Sequence, residues 1–190
     1  LEWRKTLPDG SMRAQAYGLH YNLDLFSNFT YFQANPIDGD QFLQRDRRQV
    51  YGGQLARTWF GELGSRPMTT ELGLQLRHDR IRVGLFDAVA RRVTNTVRDD
   101  RVLQTSAGLY AENTIAWLPW LRTVAGLRVD QFQWDVRSRL ADNSGRNRAS
   151  LASPKLSLIL GPWARTELFV NAGRGFHSND GRGTVIRIDP

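Results

Sequence analysis

Thr70-Glu71-Leu72-Gly73-Leu74-Gln75-Leu76-Arg77 alternates strictly between two kinds of side chain. Leu72, Leu74 and Leu76 fall on one side of an extended chain, and Glu71, Gly73, Gln75 and Arg77 on the other. A period of two marks a β-strand with chemically distinct faces. The pattern recurs along the chain. Leu103, Thr105, Ala107, Leu109 and Ala111 alternate with Gln104, Ser106, Gly108, Tyr110 and Glu112. Leu121 to Val129 alternates with Arg122 to Asp130, and Leu156 to Leu160 with Lys155 to Gly161. Leu168, Val170 and Ala172 close the series.

Working outward from these stretches, about eight strands are expected, with ends uncertain by ~2–4 residues. They are Glu2–Leu7, Ser11–Phe32, Arg48–Trp59, Thr69–Arg77, Arg101–Trp117, Leu121–Leu140, Ser150–Leu160 and Thr166–Phe176. The class is all-β, an antiparallel meander. Short connections at Pro8-Asp9-Gly10, Leu118-Pro119-Trp120 and Gly161–Arg165 alternate with long polar ones at Asn35–Asp46, Asp79–Asp100 and Ala141–Ala149. Phe60–Pro67 reads as a connection of moderate length. Short turns on one rim and long loops on the other are how outer-membrane barrels are built. Near Asp130 the apolar phase passes from Leu127 and Val129 to Phe132, Trp134 and Val136. A β-bulge would do this, but emergence from the bilayer is the preferred explanation. Trp59, Phe60, Trp117, Trp120 and Trp163 sit near the short turns, where an interfacial belt of aromatic rings is expected.

Alternation alone does not say which face is wet, because a soluble sandwich alternates too. Cost decides it. A charge facing lipid at the midplane costs ~2–4 kcal/mol. Glu71, Arg77, Glu112, Arg122, Arg128, Asp130, Lys155, Glu167 and Arg174 all fall on the polar side. They are therefore expected to line a lumen, with the aliphatic side turned to hydrocarbon.

Composition is consistent with this. The net charge is +7 and the pI about 10.5, which first suggests nucleic acid. Lys5 and Lys155 are, however, the only lysines, and the arginines are spread along the chain rather than gathered on one helix. No nucleic-acid role is expected. No apolar run of ~18 residues exists, so no transmembrane helix is possible. A spanning strand needs only ~9–11 residues. The absence of cysteine removes disulfides and Cys-based zinc sites. The chain starts at Leu1 and stops at Pro190 in loop-like sequence, and it is expected to be part of something larger.

Several stretches resemble the barrel of TonB-dependent receptors. Ala152-Ser153-Pro154-Lys155-Leu156 through Gly161-Pro162 is similar to a strand and turn of that family. Thr166 through His177, containing Gly173-Arg174-Gly175-Phe176, resembles the next strand, and Asn179, Asp180 and Arg182 continue the likeness. Asp24–Phe32, Gly39–Phe42, Arg45–Arg48 and Ala125–Asp130 are also similar, in the right order. The resemblance implies that residues 1–190 are a partial barrel domain, roughly a third of a large closed barrel. It implies a plug domain elsewhere in the same protein, coupling to the TonB complex, and residence in the outer membrane beside lipid and lipopolysaccharide. The implied function is energised uptake of a scarce ligand, a ferric siderophore or similar nutrient. A passive porin-like barrel and a soluble all-β binding module are the alternatives.

Candidate sites follow from residue type. Arg80, Arg82, Arg91, Arg92 and Arg98 crowd the expected loop Asp79–Asp100. Guanidinium groups bind oxyanions bidentately, so an anionic ligand or lipopolysaccharide phosphates are plausible targets. A solvated hairpin is the equal alternative. His177 and Asp180 on a later loop are weaker ligand candidates. The histidines His20, His78 and His177 have no metal-binding spacing, so neither a metal nor a cofactor is expected. Gly173-Arg174-Gly175 lacks the third glycine of a dinucleotide loop. No nucleophile elbow exists, and no enzyme is expected.

Overall fold

The computed structural model describes residues 1–176 and 181–188. Eight strands form one antiparallel sheet in simple sequence order. They are β1 (Glu2–Leu7), β2 (Gly10–Ser27), β3 (Phe42–Leu63), β4 (Arg66–Val89), β5 (Arg92–Leu118), β6 (Leu121–Arg137), β7 (Gly145–Trp163) and β8 (Thr166–Gly173). The expected all-β meander is therefore present. Short 3-10 turns at Ala141–Asn143 and Gly181–Thr184 interrupt the connections.

At one rim, which we call the lower, the strands reverse through Pro8-Asp9, Gly64-Ser65, Pro119-Trp120 and Ala164-Arg165. The upper rim carries residues 28–41, the pair Ala90-Arg91, and residues 138–144. Two expected connections are thus corrected. Phe60–Pro67 is mostly strand, with a tight turn at Gly64-Ser65. Asp79–Asp100 is not a loop: β4 and β5 run through it for 24 and 27 residues and meet at Ala90-Arg91. Both turn residues are left-handed, at φ 47° and 63°. That geometry suits the twist of a two-residue hairpin. It usually recruits Gly or Asn, so Ala-Arg gives no turn signal in the sequence. Smaller differences are that β2 ends at Ser27, β6 at Arg137 and β8 at Gly173.

The alternation fixes two faces. On the outer face, in the lower half, lie Leu55, Leu74, Leu109, Leu127 and Leu156; Leu74 is 40 % exposed and Leu109 61 %. No described residue covers them. Their register partners put them side by side: Leu55 faces Leu74, which faces Leu109, and Leu127 faces Pro154. The leucines do not meet in a dry sandwich interior. A continuous apolar area of this kind marks a surface that contacts something other than water.

Higher up, the two faces exchange chemistry. On β4 the outer face runs Leu72, Leu74, Leu76, then His78, Arg80, Arg82, while the inner face runs Gln75, Arg77, Asp79, then Ile81, Val83. On β6 the outer face passes from Leu127 and Val129 to Gln131, Gln133 and Asp135, and the inner from Arg128 and Asp130 to Phe132, Trp134 and Val136. On β2 Leu19, Tyr21 and Leu23 likewise follow Gln15 and Tyr17 on the inner face. The pairings of β6 with β5 and β7 carry no register shift near Asp130. The phase change there is therefore an exchange of polarity on an unbroken strand, not a bulge. Above the exchange the inner apolar side chains are only partly covered, and Leu19 of β2 remains 54 % exposed. Ile81, Val102 and Val136 form a small buried cluster on the inner face, closed by Val83 and by Val185 of the segment after β8. Asn143 ties that segment down, donating to Ile188 O at 2.7 Å and accepting from Arg187 and Ile188 N.

Large inner side chains are seated against glycines of the next strand. Tyr17 pairs with Gly52, Tyr110 with Gly73, Asp130 with Gly108 and Lys155 with Gly126. A Cβ on Gly108 would stand 2.2 Å from Arg128 Nη2, and one on Gly73 2.2 Å from the Tyr110 ring. The glycines therefore hold space for side chains lying flat across the sheet. Gly108→Val in the full-length protein is expected to lower the thermal unfolding midpoint, the cost being about 1–3 kcal/mol of overpacking. Gly61→Val, where a Cβ meets nothing within 4 Å, serves as the control and should leave the midpoint unchanged. Equal midpoints for the two variants would contradict the interlocking.

Candidate functional site

The inner face of the lower half is a wall of paired charges. Arg128 donates through Nε and Nη2 to both oxygens of Asp130, at 2.7 and 2.6 Å, and through Nη1 to Gln75 Oε1 at 2.7 Å. Gln75 donates on to Gln54 Oε1 at 3.2 Å. On β4 Arg77 repeats the arrangement with Asp79, at 2.7 and 2.8 Å. Asp79 and Asp130 are almost fully buried. The spacing explains the pairing: residues i and i+2 of a strand share a face, so an Arg-x-Asp tripeptide closes on itself.

Lower on the same face the Tyr110 hydroxyl donates to Glu71 Oε1 at 2.7 Å, and Thr58 donates to Oε2 at 3.0 Å. Lys155 is ion-paired with Glu112, and Arg122 with Glu167 at 2.6 Å. Eight of the nine charges expected on one side are thus brought onto one face and joined in pairs. Arg174 is the exception. It follows the end of β8, and its backbone N–H donates to Pro154 O at 3.0 Å. Tyr17, Gln54, Gln75, Arg77, Asp79 and Arg128 line a groove on this face of about 470 Å³. With its charges neutralised pairwise, such a wall suits water or a hydrophilic body rather than one strongly charged ligand.

The expected ligand arginines are not gathered. Arg80 and Arg82 lie on the outer face of β4, and Arg82 is bound bidentately by Asp99 at 3.0 and 2.7 Å. Arg98 is on the inner side, 3.8 Å from Asp100. Arg91 and Arg92 are at the hairpin tip, where the Arg91 guanidinium lies 5.6 Å from the Phe26 ring. None of the five is on a long loop, because the loop is a pair of strands. His177 and Asp180 fall outside the described residues. The spacing of the sequence also hides a relation that the register reveals: Arg47, Arg82, Arg101 and Arg137 stand directly opposite one another on four adjacent strands. Finding that row requires knowing each turn to the residue.

The expected aromatic rim is partly visible. Trp120 and Trp163 approach to 6.2 Å between ring centroids, and Arg57 and Arg66 lie over Trp59 and Trp117 at 5.0 and 5.5 Å. Trp117 Nε1 donates to Thr123 at 2.7 Å.

At the upper rim, residues 28–41 are organised by one carboxylate. Asp40 accepts from the backbone N–H of Ala34 at 3.0 Å and of Asn35 at 2.7 Å, and from the Thr30 hydroxyl at 2.7 Å. The Ala34 amide foremost, then the Thr30 hydroxyl, hold this carboxyl below the ordinary aspartate value. Beside it, hydrogen bonds from Arg47 and Arg45 depress Asp24, and one from Arg82 depresses Asp99. For a depressed carboxyl the ionised form is the one the fold favours. Its contribution is complete above the unfolded pKa of about 3.9 and fades as pH falls through the lower folded value. Asp40→Ala is therefore expected to speed hydrogen exchange at Ala34 and Asn35 at neutral pH, whereas the unaltered chain should loosen there only in acid below about pH 4. Unchanged exchange in the variant would rule out this role for Asp40.

Comparison with known proteins agrees with the geometry. A family model described as TonB dependent receptor-like, beta-barrel matches residues 1–185. No curated protein sequence matches the chain. Among solved structures, the ferric citrate transporter FecA in its unliganded form superposes with a TM-score of 0.71 at 10 % identity, over 87 % of this chain and 24 % of that one. At that identity the likeness carries the fold alone, and the chain spans about a quarter of the FecA chain. A single meander with short turns on one rim, a bare leucine band and a match over nearly its whole length lead to one conclusion: the chain belongs to the TonB-dependent receptor β-barrel family.

Proposed function

We propose that this chain is part of the wall of an outer-membrane transporter that takes up a scarce ligand with energy delivered through TonB. The observation that carries the reading is the uncovered leucine band on the outer face, set against the paired charges on the inner. Hydrocarbon offers no partner to a bare charge, and water penalises exposed leucine. Only a sheet with lipid on one side and a polar interior on the other suits both. In this reading the paired inner charges line the lumen and face a plug domain of the same protein, and the apposed Trp120 and Trp163 sit at the periplasmic headgroup level.

The sheet is open, with no pairing between β1 and β8. An unpaired edge is costly in lipid, so further strands must close it in the membrane. The inner acids are held by arginine, lysine, tyrosine or threonine, which suits a polar wall facing a plug. A ferric siderophore is the ligand class that the family resemblance suggests.

Uptake of radio-iron presented as ferric siderophores, in cells expressing the full-length protein, tests the reading. Uptake should cease when TonB is deleted or the proton gradient is collapsed. Uptake that persists without TonB would identify a passive pore. Recovery of the protein in the soluble fraction would remove the membrane reading altogether.

A further inference from the structure

In the upper half the apolar inner face is covered unevenly. On β2, Tyr21, Leu23 and Leu25 follow Leu19 on that face, and all four are exposed, Leu23 by 37 %. On β4, β5 and β6, Ile81, Val102 and Val136 share the same face and are buried, Val102 completely. The difference lies in residues 181–188, which cross β5 and β6 as a strap. Val185 of the strap packs on the three buried side chains.

Two separate anchors hold the strap. The first is Asn143, in the connection between β6 and β7. Its Nδ2 donates to Ile188 O at 2.7 Å, and its Oδ1 accepts from the backbone N–H of Arg187 at 2.8 Å and of Ile188 at 2.9 Å. Asn143 is buried, and a buried amide is costly unless it is bonded. The strap backbone supplies those bonds. The second anchor is a flat contact. A Cβ on Gly181 would stand 2.3 Å from Trp134 Cδ1, so only glycine lets the strap lie on that ring. The ring is itself fixed, since Trp134 Nε1 donates to Gln104 at 3.1 Å and Phe132 stacks on it at 5.6 Å between centroids. Asn147 adds a bond to Thr184 O at 3.1 Å, and the Thr184 hydroxyl closes the turn on Gly181 O at 2.7 Å. Lifting the strap would bare three aliphatic side chains and orphan the Asn143 amide together. Elements with that much buried contact open rarely.

We propose that residues 181–188 are a standing inner layer of the upper wall, locked in place by Asn143 and Gly181. Along this stretch of wall the lumen is then open beside β2 and closed over β5 and β6. A solute entering from above meets Leu19, Tyr21 and Leu23, and does not meet Val102 or Val136. This inference rests on the proposal that the inner face lines a lumen.

The test uses energised cells carrying the full-length protein, with single cysteines in a background free of others. A membrane-impermeant maleimide is added from outside. Ile37→Cys, at a position 87 % exposed in the upper-rim connection, should react fast and report that this rim faces outward. Leu23→Cys should react nearly as fast, and Val102→Cys about tenfold more slowly or less. Asn143→Ala and Gly181→Val, made separately, should each speed the reaction of Val102→Cys about tenfold, because each removes one anchor. Gly183→Val, where a Cβ meets nothing within 4 Å, should leave it slow. Gly145→Cys with Val185→Cys should cross-link under mild oxidant. A Cβ on Gly145 stands 3.7 Å from Val185 Cβ, inside the usual disulfide separation of about 3.5–4.5 Å. Val102→Cys reacting as fast as Leu23→Cys, Leu23→Cys as slow as Val102→Cys, release variants that leave Val102→Cys protected, or no cross-link would each overturn the proposal. Silence of Ile37→Cys in intact cells, with reaction in lysate, would instead overturn the membrane reading beneath it.

Discussion

A strand that shows two faces to two different media cannot put a charge on either at will. This constraint organises the whole chain. In the lower half the outer face is aliphatic, with Arg57 and Arg66 near its lower margin beside Trp59 and Trp117, and on the inner face Arg77 with Asp79 and Arg128 with Asp130 neutralise each other. In the upper half the constraint reverses. Arginines and glutamines occupy the outer face, and Ile81, Val102 and Val136 are turned inward. In the membrane reading proposed above, the height at which the exchange occurs, near His78 on β4 and Gln131 on β6, is the level at which hydrocarbon gives way to water. The glycines of the inner face follow from the same arrangement. Long polar side chains lying flat on a curved sheet need places without a Cβ, and Gly52, Gly73, Gly108 and Gly126 supply them.

Much of this is legible in the sequence. The strict alternation of Thr70–Arg77 and Leu121–Asp130 identifies strands with opposite faces, and it groups eight of the nine charges chosen from sequence on one face of the sheet, without Asp79, the partner of Arg77. What alternation does not reveal is where a hairpin turns when the turn carries no glycine or asparagine. Ala90-Arg91 is such a case. The charges flanking it, Arg80, Arg82, Arg98 and Asp100, look like loop composition, although Ile81 and Val83 continue the period of two. The period persists with its polarity exchanged, and a reading that expects apolar residues always on the same face mistakes the exchange for the end of the strand.

The same mistake explains the candidate site. The arginines of the expected loop belong to two faces and a tip, so no single loop ligand can engage them. The relation that does join arginines, the row from Arg47 to Arg137, depends on register across four strands. Register follows from turn positions, and one missed turn hides it. The pairs Arg77 with Asp79 and Arg128 with Asp130 are legible in the sequence because each is local and needs no knowledge of neighbouring strands.

The account depends on the level of the exchange, and spin labels report that level directly. Single cysteines placed at Leu72, Leu74, Leu76, Arg80 and Arg82 of the full-length protein in lipid bilayers would carry nitroxides, which oxygen reaches from hydrocarbon and a nickel chelate reaches from water. Labels at Leu72, Leu74 and Leu76 should collide with oxygen and be shielded from the chelate, and labels at Arg80 and Arg82 should show the opposite. Equal access of the chelate to all five positions would contradict the account.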